Sequence, residues 1–259
     1  MIKSDFHMHT CFSDGKNTPE QMVQTAIKLN MDKIGFSDHS YTFFDESYCM
    51  KKEKVSEYIT EIARLKEQYK GQIEILCAVE QDYYSDYPVS GFDYVIGSVH
   101  YLKKGDEYIP VDESDEIFSS AVEKYFGGDA LSLAECYFET VSDVVNKTNC
   151  DIIGHFDLVS LFNKNFKYFD ENDDRYVKAY KSAVDKLVGY GKPFEINTRA
   201  VFKGAKSHPY PAPEICEHIN SKGGKFILSS DSHSESGLMF MFEEIKEQAM
   251  QKGYQIITL

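Results

Sequence analysis

The sequence predicts an α/β fold built on a parallel sheet. Short β-branched or apolar runs alternate with helical patterns along the 259 residues, and this alternation is typical of parallel strand pairing. Seven or eight strand–helix units favour a closed barrel, with an open doubly wound sheet as the alternative. The length agrees with the roughly 250 residues of many α/β barrels. No linker, low-complexity tract or internal repeat interrupts the pattern, so one domain over residues 1–259 is expected.

In the N-terminal half, four strands are predicted, in IKSDFHMH, KIGFSDH, IEILCAVEQD and FDYVIGSVH. A helix over residues 18–30 follows the first strand. Thr18, Pro19 and Gln21 there resemble an N-cap, a first-turn proline and a capping-box partner. A charged helix over residues 51–69 follows the second strand. The polar, turn-rich segment 103–116 is expected to form an excursion over the top of the domain.

In the C-terminal half, helical patterns extend to about residue 149 and precede the strand DIIGH. A helix over residues 173–190 is predicted to end with Gly191 as its C-cap and Pro193 as its stop. PFEIN and KFILSSDSH are further strands, separated by a helix that begins near Pro213. A last helix over residues 238–252 precedes YQIIT, which completes the predicted alternation.

Composition limits the classes of partner. The hydrophobic fraction of 42% suffices for a core, and the net charge of −14 argues against nucleic acid or an anionic membrane as the main partner. A small anionic substrate is compatible, because bound metal ions reverse the local charge. The six cysteines are scattered, the start MIKSDF contains no signal-peptide core, and no apolar run approaches a membrane span. A reduced cytoplasmic protein is therefore expected.

Residue types that bind metal ions stand at the ends of the predicted strands. They are His7 and His9, Asp38 and His39, Glu80, His100, His155, and Asp231 and His233. The carboxyl ends of parallel strands gather on one face, so these side chains are expected to converge there. Residues two apart on a strand face the same way, which allows His7 and His9 to bind one ion. Such sets suit Zn²⁺, Mn²⁺ or Fe²⁺, and they exceed what a single ion can use.

The segments FHMHTCFSDG, GFSDH, AVE, GSVH, GHFDL, EINT and SSDSH resemble, in this order, the motifs of the PHP (polymerase and histidinol phosphatase) superfamily. The resemblance extends along nearly the whole chain. Within the superfamily, the length and the EINT and GHFDL segments most resemble monofunctional L-histidinol-phosphate phosphatases. The resemblance implies a distorted (β/α)7 TIM-like barrel with its active site at the C-terminal ends of the strands.

The resemblance also implies a centre of two to three divalent ions. The first ion would be bound by His7, His9 and Asp231, with Glu80 bridging to a second ion that His100 and His155 complete. A third ion would be bound by Asp14, His39 and His233. Some members of the superfamily carry histidine at the position of Asp14.

The reaction implied is hydrolysis of L-histidinol phosphate by a hydroxide that bridges two ions, with Asp231 or His233 as the alternative proton relays. Arg199 resembles the phosphate-binding arginine of the family. Related histidinol phosphatases carry a second arginine after GHFDL, and this sequence has none there. Either Lys164 substitutes as a point charge or the second phosphate contact is absent, and His208 is a loop residue expected to border the pocket. Another small phosphate ester, such as a nucleotide or sugar phosphate, is the alternative substrate. A non-enzymatic metal-binding module is disfavoured by the nearly full ligand set, and a monomer or homodimer is expected.

Overall fold

The computed structural model describes residues 3–259, and its main feature is a seven-stranded parallel sheet that rolls into a nearly closed barrel. The strands are β1 (Ser4–Asp5), β2 (Lys33–Phe36), β3 (Glu74–Asp82), β4 (Tyr94–Ser98), β5 (Tyr101–Lys104), β6 (Glu107–Pro110), β7 (Ile152–Ile153), β8 (Phe194–Asn197) and β9 (Phe226–Ser229). The barrel order is β1-β2-β3-β4-β7-β8-β9, and β5 and β6 form a separate antiparallel pair. This order has no reversal, unlike a doubly wound sheet, so the predicted distorted (β/α)7 barrel is confirmed.

Helices connect the strands. They are α1 (Pro19–Lys28), α2 (Val55–Gln68), α3 (Asp115–Phe126), α4 (Ala130–Val141), α5 (Val144–Thr148), α6 (Asp174–Val188), α7 (Arg199–Phe202), α8 (Pro213–Ser221) and α9 (Phe242–Lys252). Their buried apolar residues join strand residues in one large cluster, as when α2 buries Tyr58, Ile62 and Leu65. None of the helices within residues 3–259 has both the length and the apolar character that a bilayer span requires.

Contacts between the segments that follow β1 and β9 close the barrel. Met8 and Ser232 form a parallel bridge, in which the His9 amide donates to the Ser232 carbonyl at 2.8 Å and the Ser232 amide donates to the His7 carbonyl at 3.3 Å. The carboxylate of Asp5 reinforces this junction by accepting from the amides of Ser230 and Met239. The first and last strands are therefore joined directly beside the predicted metal ligands.

A second, smaller apolar cluster consists mainly of strand residues and includes Ala78 and Ile96. Alternate residues of a strand share a face, so Ala78 lies on the same face of β3 as Glu80, and Ile96 on the same face of β4 as Ser98. The cluster therefore fills the barrel below the polar residues at the strand ends. It gives those residues a rigid apolar base.

Local signals predicted some boundaries well and missed others. The capping box at α1 is present, because Thr18 Oγ1 accepts from the Gln21 amide at 3.3 Å and Gln21 Oε1 accepts from the Thr18 amide at 2.9 Å. Segment 103–116 is not only an excursion: β5 and β6 form a hairpin in which buried Leu102 pairs with buried Ile109. YQIIT makes only a single bridge, between Ile256 and Phe226.

Candidate metal centre

The nine residues predicted as metal ligands lie together at the carboxyl ends of the barrel strands. Each has a nitrogen or carboxylate oxygen within 4.0 Å of one from another member. Eight of them follow or end β1, β2, β3, β4, β7 or β9, and Asp14 lies in the loop after β1. The structure therefore brings the whole predicted set to one face of the barrel.

The first group of donor atoms surrounds a point between β1, β3 and β9. His7 Nε2 lies 3.1 Å from His9 Nε2 and 3.2 Å from Glu80 Oε2, and His9 Nε2 lies 3.3 Å from Asp231 Oδ1. Ligand atoms about 2.1 Å from a tetrahedral ion are about 3.4 Å apart. The spacing of these atoms is therefore that of ligands around one ion.

Glu80 also faces a second group through its other oxygen. Glu80 Oε1 lies 2.9 Å from His155 Nε2 and 3.5 Å from His100 Nε2, and it accepts a hydrogen bond from Ser98 Oγ at 2.5 Å. The two oxygens of one carboxylate thus point to two different donor groups. This is the arrangement that a bridging ligand requires.

The third group contains Asp14, His39, His233 and the second nitrogen of His9. Asp14 Oδ2 lies 3.0 Å from His233 Nε2, and Asp14 Oδ1 lies 3.8 Å from both His39 Nε2 and His9 Nδ1. The loop reaches this position because residue 15 is glycine: a Cβ at Gly15 would overlap the backbone of His9. Asp14 remains 32% exposed, so this group is the most open of the three.

The buried polar atoms of the cluster test whether metal ions fit. Among residues 3–259, Asp231 Oδ1 and His9 Nδ1 are buried without a hydrogen-bond partner. Such atoms are rare in folded proteins, because an unpaired buried polar group costs free energy. Cations coordinated by these atoms would remove that cost. The cluster can therefore bind several divalent ions, as the sequence predicted.

The charge states of the carboxylates and of His9 suit metal binding. Burial would raise the pKa of Glu80 and of Asp231, but His7 and the other cationic neighbours hold both pKa values well below the usual range. Burial, together with the charges of His233 and His39, lowers the pKa of His9, so that its imidazole is neutral. Ionised carboxylates and neutral imidazoles are the forms that coordinate metal ions, whereas, against the effect of burial, nearby carboxylates raise the pKa of His7 and of His39, so an ion must displace their protons.

Glu195 on β8 holds several ligands in place. Its Oε1 lies 2.6 Å from His7 Nδ1, and its Oε2 accepts from the His155 amide at 2.9 Å and from Asn197 Nδ2 at 3.0 Å. Asn197 Nδ2 also donates to Asp231 Oδ2 at 3.0 Å. A carboxylate behind a metal-binding imidazole fixes its ring orientation and tautomer. The role of Glu195 was not predicted from the sequence, although a charged residue inside the apolar run PFEIN is a usable signal.

Two further aspartates stabilise the rings and the loop backbone around the metal ligands. Asp82 accepts from the His100 amide at 3.1 Å and lies 3.3 Å from His100 Nδ1, so it orients that ring. Asp38 accepts from the Thr10 amide at 2.8 Å and from Ser13 Oγ at 2.6 Å. Asp38 therefore fixes the loop that carries Asp14, and it does not belong to the cluster with His39.

A cavity of about 480 Å³ opens over the cluster. Arg199 lines it at the start of α7, where its Nη1 donates to the Asp231 carbonyl at 3.0 Å and contacts His233 Nδ1. Its side chain remains 29% exposed. The predicted phosphate-binding arginine is thus beside the metal ligands, with its remaining donors accessible.

The structure does not bring Lys164 and His208 to this cavity. Both line a neighbouring cavity of about 550 Å³, and Lys203 is the lysine that lines the cavity over the cluster. Asn163 accounts for the position of Lys164, because its side chain accepts from the amides of Tyr168 and Phe169 and turns the loop away. Substrate contacts by Lys164 and His208 stay predictions, without support from this arrangement.

The fold and the donor groups define a class of protein in which a metal centre lies at the mouth of a parallel α/β barrel. Residues 5–199 match the PHP domain, and the chain belongs to the PHP family. A probable histidinol-phosphatase of Schizosaccharomyces pombe is 30% identical over 233 residues, which cover 83% of this chain and 74% of that protein. A probable histidinol-phosphatase of Deinococcus radiodurans is 27% identical over 265 residues, covering 98% and 95% of the two chains.

Solved structures share the fold. A putative histidinol phosphatase from Listeria monocytogenes has a TM-score of 0.82 at 20% identity, covering 93% of this chain and 99% of that chain. A histidinol phosphate phosphatase from Lactococcus lactis, crystallised with zinc, L-histidinol and phosphate, has a TM-score of 0.73 at 24% identity, covering 99% and 95%. The predicted membership of the superfamily is confirmed.

We predict that the affinity of the metal-free protein for Zn²⁺ or Mn²⁺ rises from about pH 6 to about pH 9. Burial opposes protonation of His39, but Glu80 and the other carboxylates outweigh it and raise the His39 pKa to about 9. Below that pH an ion must displace a proton, and above it no such competition remains. Titration calorimetry in two buffers of different ionisation enthalpy measures both the affinity and the protons released. A constant or falling affinity across this range contradicts the prediction.

Exchanging Glu195 for glutamine is expected to weaken metal binding about 10- to 100-fold, because His7 loses its carboxylate partner. Competition with a chromophoric chelator measures the dissociation constants. Glu57→Gln is the control, since Glu57 is exposed on α2, where it pairs with Lys54. Wild-type metal affinity in the Glu195→Gln variant would show that Glu195 does not support the centre.

Proposed function

We propose that this protein is a metal-dependent phosphomonoesterase that hydrolyses L-histidinol phosphate to L-histidinol and phosphate, a reaction of histidine biosynthesis. The observation that carries the proposal is the convergence of three donor groups and Arg199 on one cavity. Relatives that match most of the chain are named histidinol-phosphatases, which supports this substrate over other phosphate esters.

We propose the following ligand assignment within that function. His7, His9 and Asp231 would hold the first ion, and His100 and His155 would hold a second, with Glu80 shared between them. Asp14, His39 and His233 would hold the third. The interatomic distances around the two oxygens of Glu80 support the first two sets, and the contacts of Asp14 support the third.

Different residues of the chain have different roles in phosphate ester hydrolysis. When bound, the divalent ions would supply an activated water and neutralise the phosphoryl oxygens. Arg199 binds the phosphate with its free guanidinium donors and orients it for in-line attack. Asp231 and His233 both lie beside Arg199, and either of them would move a proton to the departing alkoxide. The barrel wall excludes bulk water from one side of this reaction.

The decisive experiment measures the bound metals and then phosphate release from a panel of esters. The catalytic efficiency kcat/KM for L-histidinol phosphate is expected to exceed that for p-nitrophenyl phosphate, a nucleotide and a sugar phosphate by about 100-fold or more. A Glu80→Gln variant is the negative control, since it loses the bridging charge but keeps the side-chain size. Equal efficiency across the panel would replace this proposal with a phosphoesterase of another small ester.

Replacing Arg199 with alanine is expected to lower kcat/KM about 10- to 100-fold, because a charged hydrogen-bond donor to the phosphate is lost. Arg199→Lys is expected to recover part of the loss, since lysine keeps the charge without the bidentate geometry. Steady-state kinetics and inhibition by inorganic phosphate measure both effects. Arg175→Ala is the control, because Arg175 pairs with Asp129 and Glu135 on the surface. Unchanged kinetics in Arg199→Ala would remove Arg199 from the phosphate site.

We also propose that residues 1–259 form one PHP-type metallophosphoesterase domain that acts in the cytoplasm as a monomer or homodimer, without nucleic acid or membrane partners. The free thiols of all six cysteines support a reducing compartment. The net charge of −14 disfavours polyanionic partners. Light scattering coupled to size-exclusion chromatography distinguishes monomer from dimer.

A further inference from the structure

The cavity over the metal centre is electrically polarised. Its two basic residues, Arg199 and Lys203, both belong to α7 or its end. The acidic residues that line it outside the ligand set come from a different wall, made by the loop before α2 and the segment after β6: they are Asp45, Asp112 and Glu113. A substrate in the cavity therefore meets basic residues from α7 and acidic residues from another segment of the wall, and the charged groups nearest Asp112 include His100, His155 and His39 of the metal centre.

Asp112 is the acidic residue of this wall that lacks a protein partner. Asp45 is satisfied, because it accepts from the Ser47 amide at 2.9 Å and from the Tyr101 hydroxyl at 2.7 Å. Glu113 is exposed to solvent. Asp112 is half-buried, and within residues 3–259 its carboxylate forms neither a hydrogen bond nor an ion pair. A partly desolvated carboxylate without a partner is a suitable site for a cationic ligand.

The surroundings of Asp112 suit a ligand cation. The backbone beside it is fixed, because the Val111 amide donates to the His100 carbonyl at 2.9 Å. Tyr48 and Tyr101 line the same cavity, with ring centroids 6.1 Å apart and an interplanar angle of 28°. Aromatic faces beside a carboxylate attract ammonium and imidazolium groups.

We propose that Asp112 binds the positively charged group of the substrate alcohol and so selects phosphate monoesters that carry an ammonium group. The proposal rests on the phosphatase function proposed above. It deepens that function by assigning the cationic group of the substrate to the wall that carries Asp112. The phosphate contacts the metal centre and Arg199, and the cation contacts Asp112.

A matched pair of substrates isolates this role. O-phosphoethanolamine and propyl phosphate have nearly the same size, and they differ in an ammonium group that replaces a methyl group. In the wild-type protein, kcat/KM is expected to be higher for O-phosphoethanolamine. In Asp112→Asn the ratio of the two kcat/KM values is expected to fall about 10- to 100-fold, because an ion-paired hydrogen bond is lost. Asp112→Glu, which keeps the charge, is expected to restore part of the ratio.

The control is Asp106→Asn, because Asp106 is an exposed aspartate at the turn of the same hairpin. It is expected to leave the ratio unchanged. A ratio in Asp112→Asn equal to the wild-type ratio would overturn the proposal, including the case in which both esters lose activity equally. A wild-type preference for propyl phosphate would also overturn it, whether or not the variants fold. Neither result depends on L-histidinol phosphate, so failure here is distinguishable from failure of the proposed function.

Discussion

The polar end of the barrel depends on the burial of one carboxylate, that of Glu80. Its position is fixed by strand pairing, since Glu80 pairs with Ile96 on β4 and forms a bridge with His39 after β2. A buried negative charge is costly unless cations compensate it. The neighbouring strands deliver imidazoles to both of its oxygens, and the resulting cluster can bind divalent ions. The register of β3 thus determines where the side chains of the other ligands must lie.

The sequence predicted the barrel and the convergence of the ligands because both depend on local periodicity. Strand length, alternation and the residue at each strand end can be read without knowing how distant segments meet. Glu195 and Asp112 were missed because their roles depend on what tertiary packing places beside them. For Lys164, proximity to GHFDL along the chain suggested a substrate contact, whereas the turn that Asn163 stabilises places this residue at another cavity, so the contact stays a prediction.

The groups around the centre are less tightly fixed the farther they lie from the interior of the barrel. Glu195 and Asp82 bind ligand rings from positions that are almost fully buried, whereas Asp14 sits on a loop and stays partly exposed. The cavity walls beyond them come from α7 and from segments that precede α2 or follow β6. Variation in these outer segments can change which alcohol is accepted without disturbing the metal ligands, which is how one barrel supports several specificities.

The junction between the first and last strands has a consequence for folding. Hydrogen bonds of His7, His9 and Ser232 close the barrel, and the side chains of His7, His9 and Asp231 form one donor group. An ion held there would cross-link the two ends of the sheet, which are far apart in sequence. Metal binding and completion of the barrel are then linked thermodynamically. An ion bound there would stabilise the whole domain against unfolding.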